Sequence, residues 1–373
     1  MHSPRSNSSL PPSLVGLGSA ELREVVATLG GEPWRARQLE EWLYKHRASA
    51  FEAMGPLPAA LRAALAERYA LRTLHLLDEQ SSADGTRKFL FRTRDGYNVE
   101  SVLIPSEARD DQDEPKRRTI CVSTQVGCPL GCAFCATATM KVKRNLTVSE
   151  ILEQVIEVER AAGERLTNLV FMGMGEPMLN YDNVMRAVEV LIDPAHELIP
   201  ARRITLSTSG FPDEIRRLAD EGRPIKLALS LHALTDTLRS RLMPINRRYP
   251  LRAVLEAIDY YYGRTRRPVT YEYILFDGLN DTPEDVRRLA RIARRVPSRV
   301  NVIPFHPIDF AGPTGVALEL HPTSTETFDR FIGALREAGV QVMVRSSSGK
   351  DIDAACGQLA VRHTAESLHA SGS

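Results

Sequence analysis

The stretch Cys128-Pro-Leu-Gly-Cys132-Ala-Phe-Cys135 carries three of the chain's five cysteines in a C-x3-C-x2-C pattern. It follows the apolar run Ile120–Ser123, which predicts a buried strand, so the cysteines are expected in the loop after that strand. Three thiolates can hold a four-iron, four-sulfur cluster and leave one iron without a protein ligand. The pattern therefore predicts that Cys128, Cys132 and Cys135 are metal ligands. S-adenosylmethionine (SAM) can chelate the open iron through its amino and carboxylate groups.

Two other uses of the cysteines fit the sequence less well. A structural zinc site usually has four ligands in two spaced pairs, and no second Cys or His pair lies near the triplet in the sequence. Disulfides require an oxidising compartment, but residues 1–13 have no apolar signal-peptide core, and the sequence contains no run of 18 apolar residues. We therefore expect a cytoplasmic protein with reduced thiols and no membrane partner.

Length and charge set broad limits on the protein. With 373 residues, of which 43% are hydrophobic, the chain can bury one large core and a small accessory domain. The net charge of +1 hides basic clusters. A polyanionic partner is allowed by this pattern but is not demanded, and Arg287–Arg295 is interpreted as a solvated helix face. The clusters are Arg202-Arg203, Arg247-Arg248, Arg264–Arg267 and Arg294-Arg295.

The chain before Ile120 predicts helices and then short strands. The helices are predicted at Ala20–Leu29, Trp34–His46 and Pro58–Ala70, and the strands at Leu74–Leu77, Lys88–Arg92 and Asn98–Leu103. A polar run, Ser106–Arg118, predicts a linker. The predicted organisation is a disordered tail (1–13), a helical accessory domain (14–72), a β-hairpin connector with the polar linker (73–117), a barrel (118–360) and a flexible tail (361–373).

The chain after Ile120 alternates β-branched runs with amphipathic helices, a pattern that predicts an α/β fold with parallel strands and right-handed crossovers. The six strands are predicted at Ile120–Ser123, Leu169–Met172, Ile204–Ser207, Leu227–Leu231, Val269–Ile274 and Val300–Ile303. A full eight-stranded barrel needs about 250 residues. The chain is somewhat short for that, so we expect an open six-stranded (βα)6 barrel with a further strand near Val340.

Polar residues follow several of these strands, where the functional residues of parallel barrels lie. Gly175 and Glu176 would place a backbone carbonyl and a carboxylate near the ammonium group of SAM, although a plain turn is the alternative interpretation. Ser207 and Ser230 offer hydroxyl donors to a carboxylate or a ribose. In Ser230-Leu231-His232, the histidine could stack or donate a hydrogen bond. Each signal is weak alone and gains weight because the residues recur at one end of the strands.

Several motifs, in the same order, resemble the bacterial 23S ribosomal RNA adenine-C2 methyltransferase family, from about Leu17 to Leu359. The resemblance implies a radical-SAM partial barrel that uses a [4Fe-4S] cluster with three cysteine ligands and SAM. It also places His306 where the family usually has an asparagine that contacts SAM, and an imidazole offers one hydrogen bond instead of the amide's paired donor and acceptor. The motifs are Glu100-Ser-Val-Leu-Ile-Pro105, Cys121-Val-Ser-Thr-Gln-Val-Gly-Cys128, Gly173-Met-Gly-Glu-Pro177, Met243-Pro-Ile-Asn246 and Gly349-Lys-Asp-Ile-Asp-Ala-Ala-Cys-Gly-Gln-Leu359.

The resemblance implies a radical mechanism with two SAM molecules per turnover. One SAM methylates Cys356, and a second is cleaved to a 5'-deoxyadenosyl radical that takes hydrogen from the S-methyl group. The methylene radical adds to carbon 2 of adenine and gives a covalent protein–RNA adduct. The family matches assign Glu100 as proton acceptor and Cys121 as the thiolate that releases the base by forming a transient disulfide with Cys356. The sequence leaves open whether Glu100 or Cys121 takes the ring proton.

The implied partners are RNAs: adenosine 2503 of 23S rRNA and, in many members, adenosine 37 of tRNAs. The target base must be unstacked, so the helical domain and the arginine clusters are the expected phosphate contacts. We also expect an electron donor such as flavodoxin or ferredoxin, and a monomer. Two alternatives remain at this stage. A sister group methylates carbon 8 of the same adenosine, and a noncatalytic iron–sulfur protein would bind RNA without needing both Cys121 and Cys356.

Overall fold

A computed structural model of the protein describes residues 10–105, 117–196, 198–308, 318–344, 348–355 and 357–359. The predicted tail at 361–373, residues 1–9 of the predicted tail at 1–13 and most of the polar linker lie outside the described residues. Cys356 also lies outside them. Within the described ranges the chain forms a helical N-terminal region followed by one ten-stranded sheet and a separate two-stranded one.

The N-terminal region contains the three predicted helices. They are α1 (Ser19–Thr28), α2 (Arg35–Glu40), which continues as a π-helical turn over Glu41–Lys45, and α3 (Ala59–Arg68). A short 3-10 helix, Phe51–Ala53, precedes α3. Apolar residues at helical spacing, such as Leu22, Val25 and Val26, are buried and form the core of this region.

Three antiparallel strands follow: β1 (Leu74–Ser81), β2 (Arg87–Thr93) and β3 (Asn98–Pro105). Their turns use Gly85 and Gly96, which both have positive φ. Strand β3 pairs antiparallel with β4 (Arg118–Cys121), and Val102 lies opposite Cys121. The strands of the predicted connector therefore continue the same sheet as the barrel.

The remaining strands and helices form the parallel part of the sheet. A small hairpin, β5 (Gln125–Val126) with β6 (Arg144–Asn145), carries the cysteine loop between its strands. The further elements are α4 (Val148–Ala162), β7 (Asn168–Phe171), α5 (Tyr181–Ile192), β8 (Ile204–Thr208), α6 (Pro212–Asp220), β9 (Lys226–Ser230), α7 (Asp236–Leu242), α8 (Leu251–Thr265), β10 (Val269–Leu275), α9 (Pro283–Ala293), β11 (Ser298–Pro304), α10 (Thr325–Glu337) and β12 (Val342–Val344).

The order of the large sheet is β1-β2-β3-β4-β7-β8-β9-β10-β11-β12, and all pairs from β4 to β12 are parallel. The six predicted strands and the further strand near Val340 are confirmed. The α/β class with an open, mostly parallel barrel is therefore also confirmed. Among the described helices, none combines the length and the apolar character needed to cross a bilayer.

Buried polar contacts join the helical region to the barrel helices. Glu153 on α4 accepts hydrogen bonds from the backbone N–H groups of Thr73 and Leu74, at 2.5 and 2.8 Å, where the chain enters β1. After α5, the His196 ring contacts the Glu40 carboxylate at 2.9 Å through Nε2 and the Val190 carbonyl at 2.7 Å through Nδ1. Because both ring nitrogens face acceptors, the doubly protonated imidazolium satisfies both contacts.

The pKa values of this pair agree with an ion pair. Burial alone would raise the pKa of Glu40, but hydrogen bonds from His196 and Ser19 lower it below its usual value. Burial would likewise lower the pKa of His196, but its hydrogen bond to Glu40 raises it. The contact therefore links the helical region to the barrel by a buried pair of opposite charges.

We predict that His196→Ala lowers the free energy of unfolding by about 3 kcal/mol, because it leaves the buried Glu40 carboxylate without its cationic partner. The His196 contribution is complete below a pH of about 6.5 and is lost as the pH rises through the raised folded-state pKa. The Glu40 contribution is complete above a pH of about 4.5 and is lost as the pH falls through the lowered one. Denaturant unfolding at about pH 6 and pH 9 measures the His196 contribution, and the loss should be larger at pH 6.

The matched control is His46→Ala, because His46 contacts Glu41 at 3.7 Å in a pair whose side chains are 47% and 49% exposed. That variant should change the free energy of unfolding by less than about 1 kcal/mol. Equal effects of the two variants would contradict a special role for the buried pair.

Candidate active site

A cavity of about 130 Å³ lies at the carboxyl ends of the parallel strands. Its walls come from the cysteine loop and from the segments that follow β7, β8 and β9, as the parallel arrangement requires. The structure thus brings together most of the site residues predicted from the sequence. Those that line this cavity are Cys128, Cys132, Cys135, Gly175, Glu176, Ser207, Ser230 and His232.

The three thiols form a donor set that suits an iron–sulfur cluster. Burial raises the pKa of all three, that of Cys128 to about 12, so the thiolates need a cationic centre beside them. The sulfur atoms of Cys128, Cys132 and Cys135 do not all lie within 4.8 Å of one another. That spread is too wide for a single tetrahedral zinc ion and suits a larger multi-iron cluster.

Backbone hydrogen bonds fix the cysteine loop on two sides. The Ala133 N–H donates to the Leu242 carbonyl at 2.9 Å, at the end of α7. The Ala136 N–H donates to the Gly357 carbonyl at 2.6 Å, and the Thr137 hydroxyl donates to the Leu359 carbonyl at 2.6 Å. The loop is therefore joined directly to the C-terminal segment that carries the Cys356 motif.

Gly175 and Glu176 form the wall of the cavity that faces the cysteine loop. Gly175 has φ +99°, and a Cβ at this position would lie 2.6 Å from the Cβ of Gln125, so a glycine is required. Burial raises the pKa of Glu176, although its carboxylate accepts hydrogen bonds from the N–H groups of Ser209 at 2.9 Å and Met178 at 3.1 Å. These bonds hold the carboxylate in place, where it suits an ammonium group.

The ends of β8, β9 and β10 supply further polar groups. The hydroxyls of Ser207 and Ser230 are 3.4 Å apart. His232 accepts a hydrogen bond from the Ile274 N–H through Nδ1 at 3.2 Å, and burial lowers its pKa to about 3. The ring is therefore neutral, with its proton on Nε2, which can donate. The Leu231 side chain is fully buried and, among the described residues, lies outside the lining of this cavity.

Arg239 on α7 forms hydrogen bonds to the ends of the same strands, and the sequence analysis missed it. This fully buried side chain donates to the backbone carbonyls of Ser209 at 2.6 Å and Ser230 at 3.1 Å, and to Asn246 Oδ1 at 2.9 Å. Burial lowers its pKa to about 10, so it remains charged near neutral pH. Asn246 belongs to the Met243–Asn246 motif, which was the available signal that this helix end has a specific partner.

A larger cavity of about 480 Å³ adjoins the first inside the barrel. Cys121 and His306 line it, and the two cavities share Met172, Glu272, Ile303, Gly357 and Leu359. His306 is half-buried, and burial lowers its pKa, as does the nearby Lys350. The structure therefore places His306 beside the larger cavity, whereas Ser207, Ser230 and His232 line the smaller one.

Glu100 lies on β3 close to Cys121. Side chains alternate along a strand, so Glu100 shares a face with Val102 and Ile104, which line the larger cavity. Val102 is the direct partner of Cys121 in the sheet, which makes Glu100 and Cys121 diagonal neighbours. The carboxylate is buried, with Lys88 Nζ 3.9 Å from its Oε1.

Glu272 is a second interior carboxylate, and the sequence analysis also missed it. It lies on β10, lines both cavities and accepts a hydrogen bond from Asn301 Nδ2 at 2.8 Å through Oε1. The signal was available, because the charged residue stands between Tyr271 and Tyr273 in an otherwise apolar strand. A charge at such a position is usually held by a partner or used in function.

Cys356 lies outside the described residues, but its neighbours Ala355 and Gly357 line the larger cavity. The segment before them is held by the β1–β2 turn. Gly349 N–H donates to Asp84 Oδ2 at 2.7 Å, and the Ser82 hydroxyl donates to Asp351 Oδ1 at 2.5 Å. Burial opposes ionisation of Asp84, but hydrogen bonds from Gly349 and Thr86 lower its pKa to about 2, so this contact persists at all physiological pH values.

Comparison with known proteins identifies the family. The Radical SAM superfamily model matches residues 122–293, and the ribosomal RNA large subunit methyltransferase N-terminal domain model matches residues 13–71. The dual-specificity RNA methyltransferase RlmN of Anaeromyxobacter sp. (strain Fw109-5) is 46% identical over 94% of this chain and 90% of its own length. The chain belongs to the RlmN family. The probable RlmN of Moorella thermoacetica is 45% identical over 93% of this chain and 96% of its own.

A solved structure supports the same assignment. The crystal structure of a radical SAM methyltransferase from Sphaerobacter thermophilus superposes with a TM-score of 0.85 at 45% identity, covering 93% of this chain and 99% of that one. The predicted family and fold class are confirmed. As a radical SAM RNA methyltransferase of the RlmN family, the protein uses a [4Fe-4S] cluster and SAM, and the thiol set described above fits this cluster.

We predict that Gly175→Ala weakens SAM binding by about tenfold or more, because the new methyl group would overlap Gln125 and displace the Gly175–Glu176 wall. The matched control is Gly278→Ala. Gly278 has φ +64°, and no atom lies within 4 Å of the position that a Cβ would take there. Both variants therefore place an alanine at a positive φ, but only the Gly175 variant brings its methyl group into contact with another residue. Equilibrium dialysis of the reconstituted variants with labelled SAM measures the difference. Equal affinities of the two variants would contradict the assigned wall.

Proposed function

We propose that this protein methylates carbon 2 of adenosine, at adenosine 2503 of 23S rRNA and at adenosine 37 of tRNAs. The observation that carries the proposal is the pair of adjoining cavities. The cluster-binding cysteines line one of them, and Cys121 lines the other together with both sequence neighbours of Cys356. The names of the relatives, dual-specificity RNA methyltransferases, support RNA as the substrate.

Carbon 2 of adenine is a difficult position to methylate. It lies between two ring nitrogens and is electron-poor, so it cannot attack the sulfonium of SAM as a nucleophile. The cluster and SAM supply one-electron chemistry when bound. Cys356 would then carry the methyl group to the base, which requires a second SAM in each turnover.

The residues around the smaller cavity have binding roles in this proposal. Cys128, Cys132 and Cys135 would hold the cluster, and Glu176 with the Gly175 backbone would face the ammonium group of SAM. The hydroxyls of Ser207 and Ser230 and the Nε2–H of His232 suit its carboxylate or ribose. The Leu231 side chain packs in the core, where it would fix the backbone positions of its neighbours Ser230 and His232. His306, beside the larger cavity, would contact the part of SAM that extends toward the substrate.

Glu100 and Cys121 would complete the reaction. A buried carboxylate next to Lys88 can accept the proton that leaves carbon 2. The Cys121 thiolate would attack the sulfur of Cys356 and form a transient disulfide, and the released methylene carbon would take up a proton to become the methyl group of the base. Their positions as diagonal neighbours on β3 and β4 support this pairing of a proton acceptor with a releasing thiol.

The partners follow from the substrate. An adenosine in a loop must be extruded to reach a cavity inside the barrel. We propose that residues 14–72, the helical domain whose sequence matches a ribosomal RNA methyltransferase N-terminal domain, contact the RNA outside the barrel. We also propose that the protein acts as a monomer in the cytoplasm, with flavodoxin or ferredoxin as electron donor.

We predict that Cys121→Ala accumulates a covalent protein–RNA adduct, because the methylene bridge between Cys356 and the base forms but is not cleaved. The measurement is a denaturing gel of anaerobic reactions with SAM, a reductant and radiolabelled RNA. Label should migrate with the protein in Cys121→Ala and return to about free RNA size after protease digestion.

The control is the double variant Cys121→Ala with Cys356→Ala, which lacks the methyl carrier and should give no adduct. Iron and sulfide analysis checks that both variants retain the cluster. Adduct formation without Cys356, or none in Cys121→Ala with an intact cluster, would rule out the two-cysteine mechanism.

A further inference from the structure

Among the described residues, five basic side chains surround the amino-terminal end of the barrel, opposite the cysteine loop. Arg117, Lys226 and Arg299 line the larger cavity at this end, and Arg202 and Arg203 join Arg117 and Lys226 around an adjoining depression on the surface. We call these five residues the cationic collar. The mechanism proposed above uses none of them.

The topology of the sheet explains why they meet. Arg117 immediately precedes β4, Arg202 and Arg203 precede β8, Lys226 begins β9 and Arg299 is the second residue of β11. Parallel strands begin at the same edge of a sheet, so positions far apart in the sequence gather around one mouth. The interior next to the collar is polar as well, because Thr119, Thr205 and Thr270 line the cavity there.

Three members of the collar differ from Arg264, Arg287 and Arg295 in their acidic surroundings. Within the described residues, no carboxylate lies within 4.0 Å of the charged groups of Arg203, Lys226 and Arg299. By contrast, Arg264 pairs with Asp220 at 3.2 Å, Arg295 pairs with Asp259, and Arg287 pairs with Glu284 at 2.5 Å. Arg264, Arg287 and Arg295 are neutralised on their own surface, whereas Arg203, Lys226 and Arg299 retain their positive charge.

The other cations of the collar affect the pKa of Lys226. Burial lowers the pKa of this lysine, and repulsion from Arg117, Arg299 and Arg203 lowers it further. Gathering like charges costs free energy unless an anion is bound among them. A phosphate group at this mouth would offset that cost with charge-assisted hydrogen bonds.

The cavity leads from the collar to the reaction site. Arg299 lies two residues before Asn301 on β11, about 7 Å along the strand, and Asn301 contacts Glu272. At the other end, the cysteine loop is bonded to Gly357 and Leu359. A nucleotide that enters base first from the amino end therefore brings its base toward Cys121 and leaves its phosphates at the mouth.

We infer that the cationic collar binds the RNA phosphates that flank the target adenosine, so that the flipped nucleotide enters the barrel through its amino-terminal mouth. This inference rests on the proposed RNA methylation. It assigns the phosphates next to the target adenosine to the collar, and the RNA contacts farther from that adenosine to the helical region.

The test is the double variant Lys226→Met with Arg299→Met, compared with Arg287→Met with Arg295→Met, which removes the same charge from the neutralised helix face. Fluorescence anisotropy with a labelled anticodon stem–loop RNA, over a series of salt concentrations, gives the affinity and its salt dependence. The collar variant should bind about tenfold or more weakly. The slope of log K against log salt should be shallower by about 1.4, corresponding to two lost contacts to single-stranded phosphates.

SAM binding and iron content should be unchanged in the collar variant, which separates a lost RNA contact from a damaged site. The exposed Arg202→Glu provides a second collar variant that places no new group inside the cavity. It should also weaken binding, and Lys226→Arg should retain the wild-type affinity.

The outcomes distinguish the two proposals. If the wild-type protein methylates the RNA but both collar variants bind with the affinity and salt slope of the control, the collar inference is overturned. If the wild-type protein neither binds nor methylates any RNA, the proposed function itself fails, and with it the collar inference. Loss of RNA affinity in both collar variants, with SAM binding intact, supports the collar.

Discussion

The parallel register of the barrel strands is the constraint on which the site depends. Thr205 pairs with Lys226, and Ser230 pairs with Glu272, which in turn pairs with Asn301. Side chains of neighbouring strands therefore form layers across the interior. Cations and threonines lie at the amino end, Ser230, Glu272 and Asn301 form a layer further in, and the cysteine loop lies at the carboxyl ends. A slip of one residue in any strand would turn its contribution out of the cavity.

A second constraint is the attachment of the C-terminal segment. It contacts the cysteine loop at Gly357 and Leu359 and the β1–β2 turn at Gly349 and Asp351. These anchors come from parts of the chain more than 200 residues apart, as the 222-residue separation of Thr137 and Leu359 shows. The β-connector therefore has a structural task in the active site, since its first turn contacts the segment that precedes Cys356.

Local patterns in the sequence were sufficient for the strands, the three helices and the cysteine triplet, because hydrophobic period and ligand spacing are properties of short segments. The roles of Cys121, Cys356 and Glu100 came from the family resemblance and not from such patterns. Arg239 could not be predicted, since its burial depends on the backbone carbonyls of Ser209 and Ser230 at the ends of β8 and β9. The same holds for Asp84, which occurs in an ordinary turn sequence, and for the collar, whose members are single residues until the sheet assembles them.

The position of the new methyl group tests the account most directly. Reconstituted protein would be incubated anaerobically with SAM, a reductant and unmodified 23S rRNA fragments or tRNA, and the digested nucleosides would be separated and identified by mass spectrometry. We expect 2-methyladenosine in both RNAs and none from Cys356→Ala. The appearance of 8-methyladenosine, or reductive cleavage of SAM by an intact cluster without any methylated adenosine, would contradict the account.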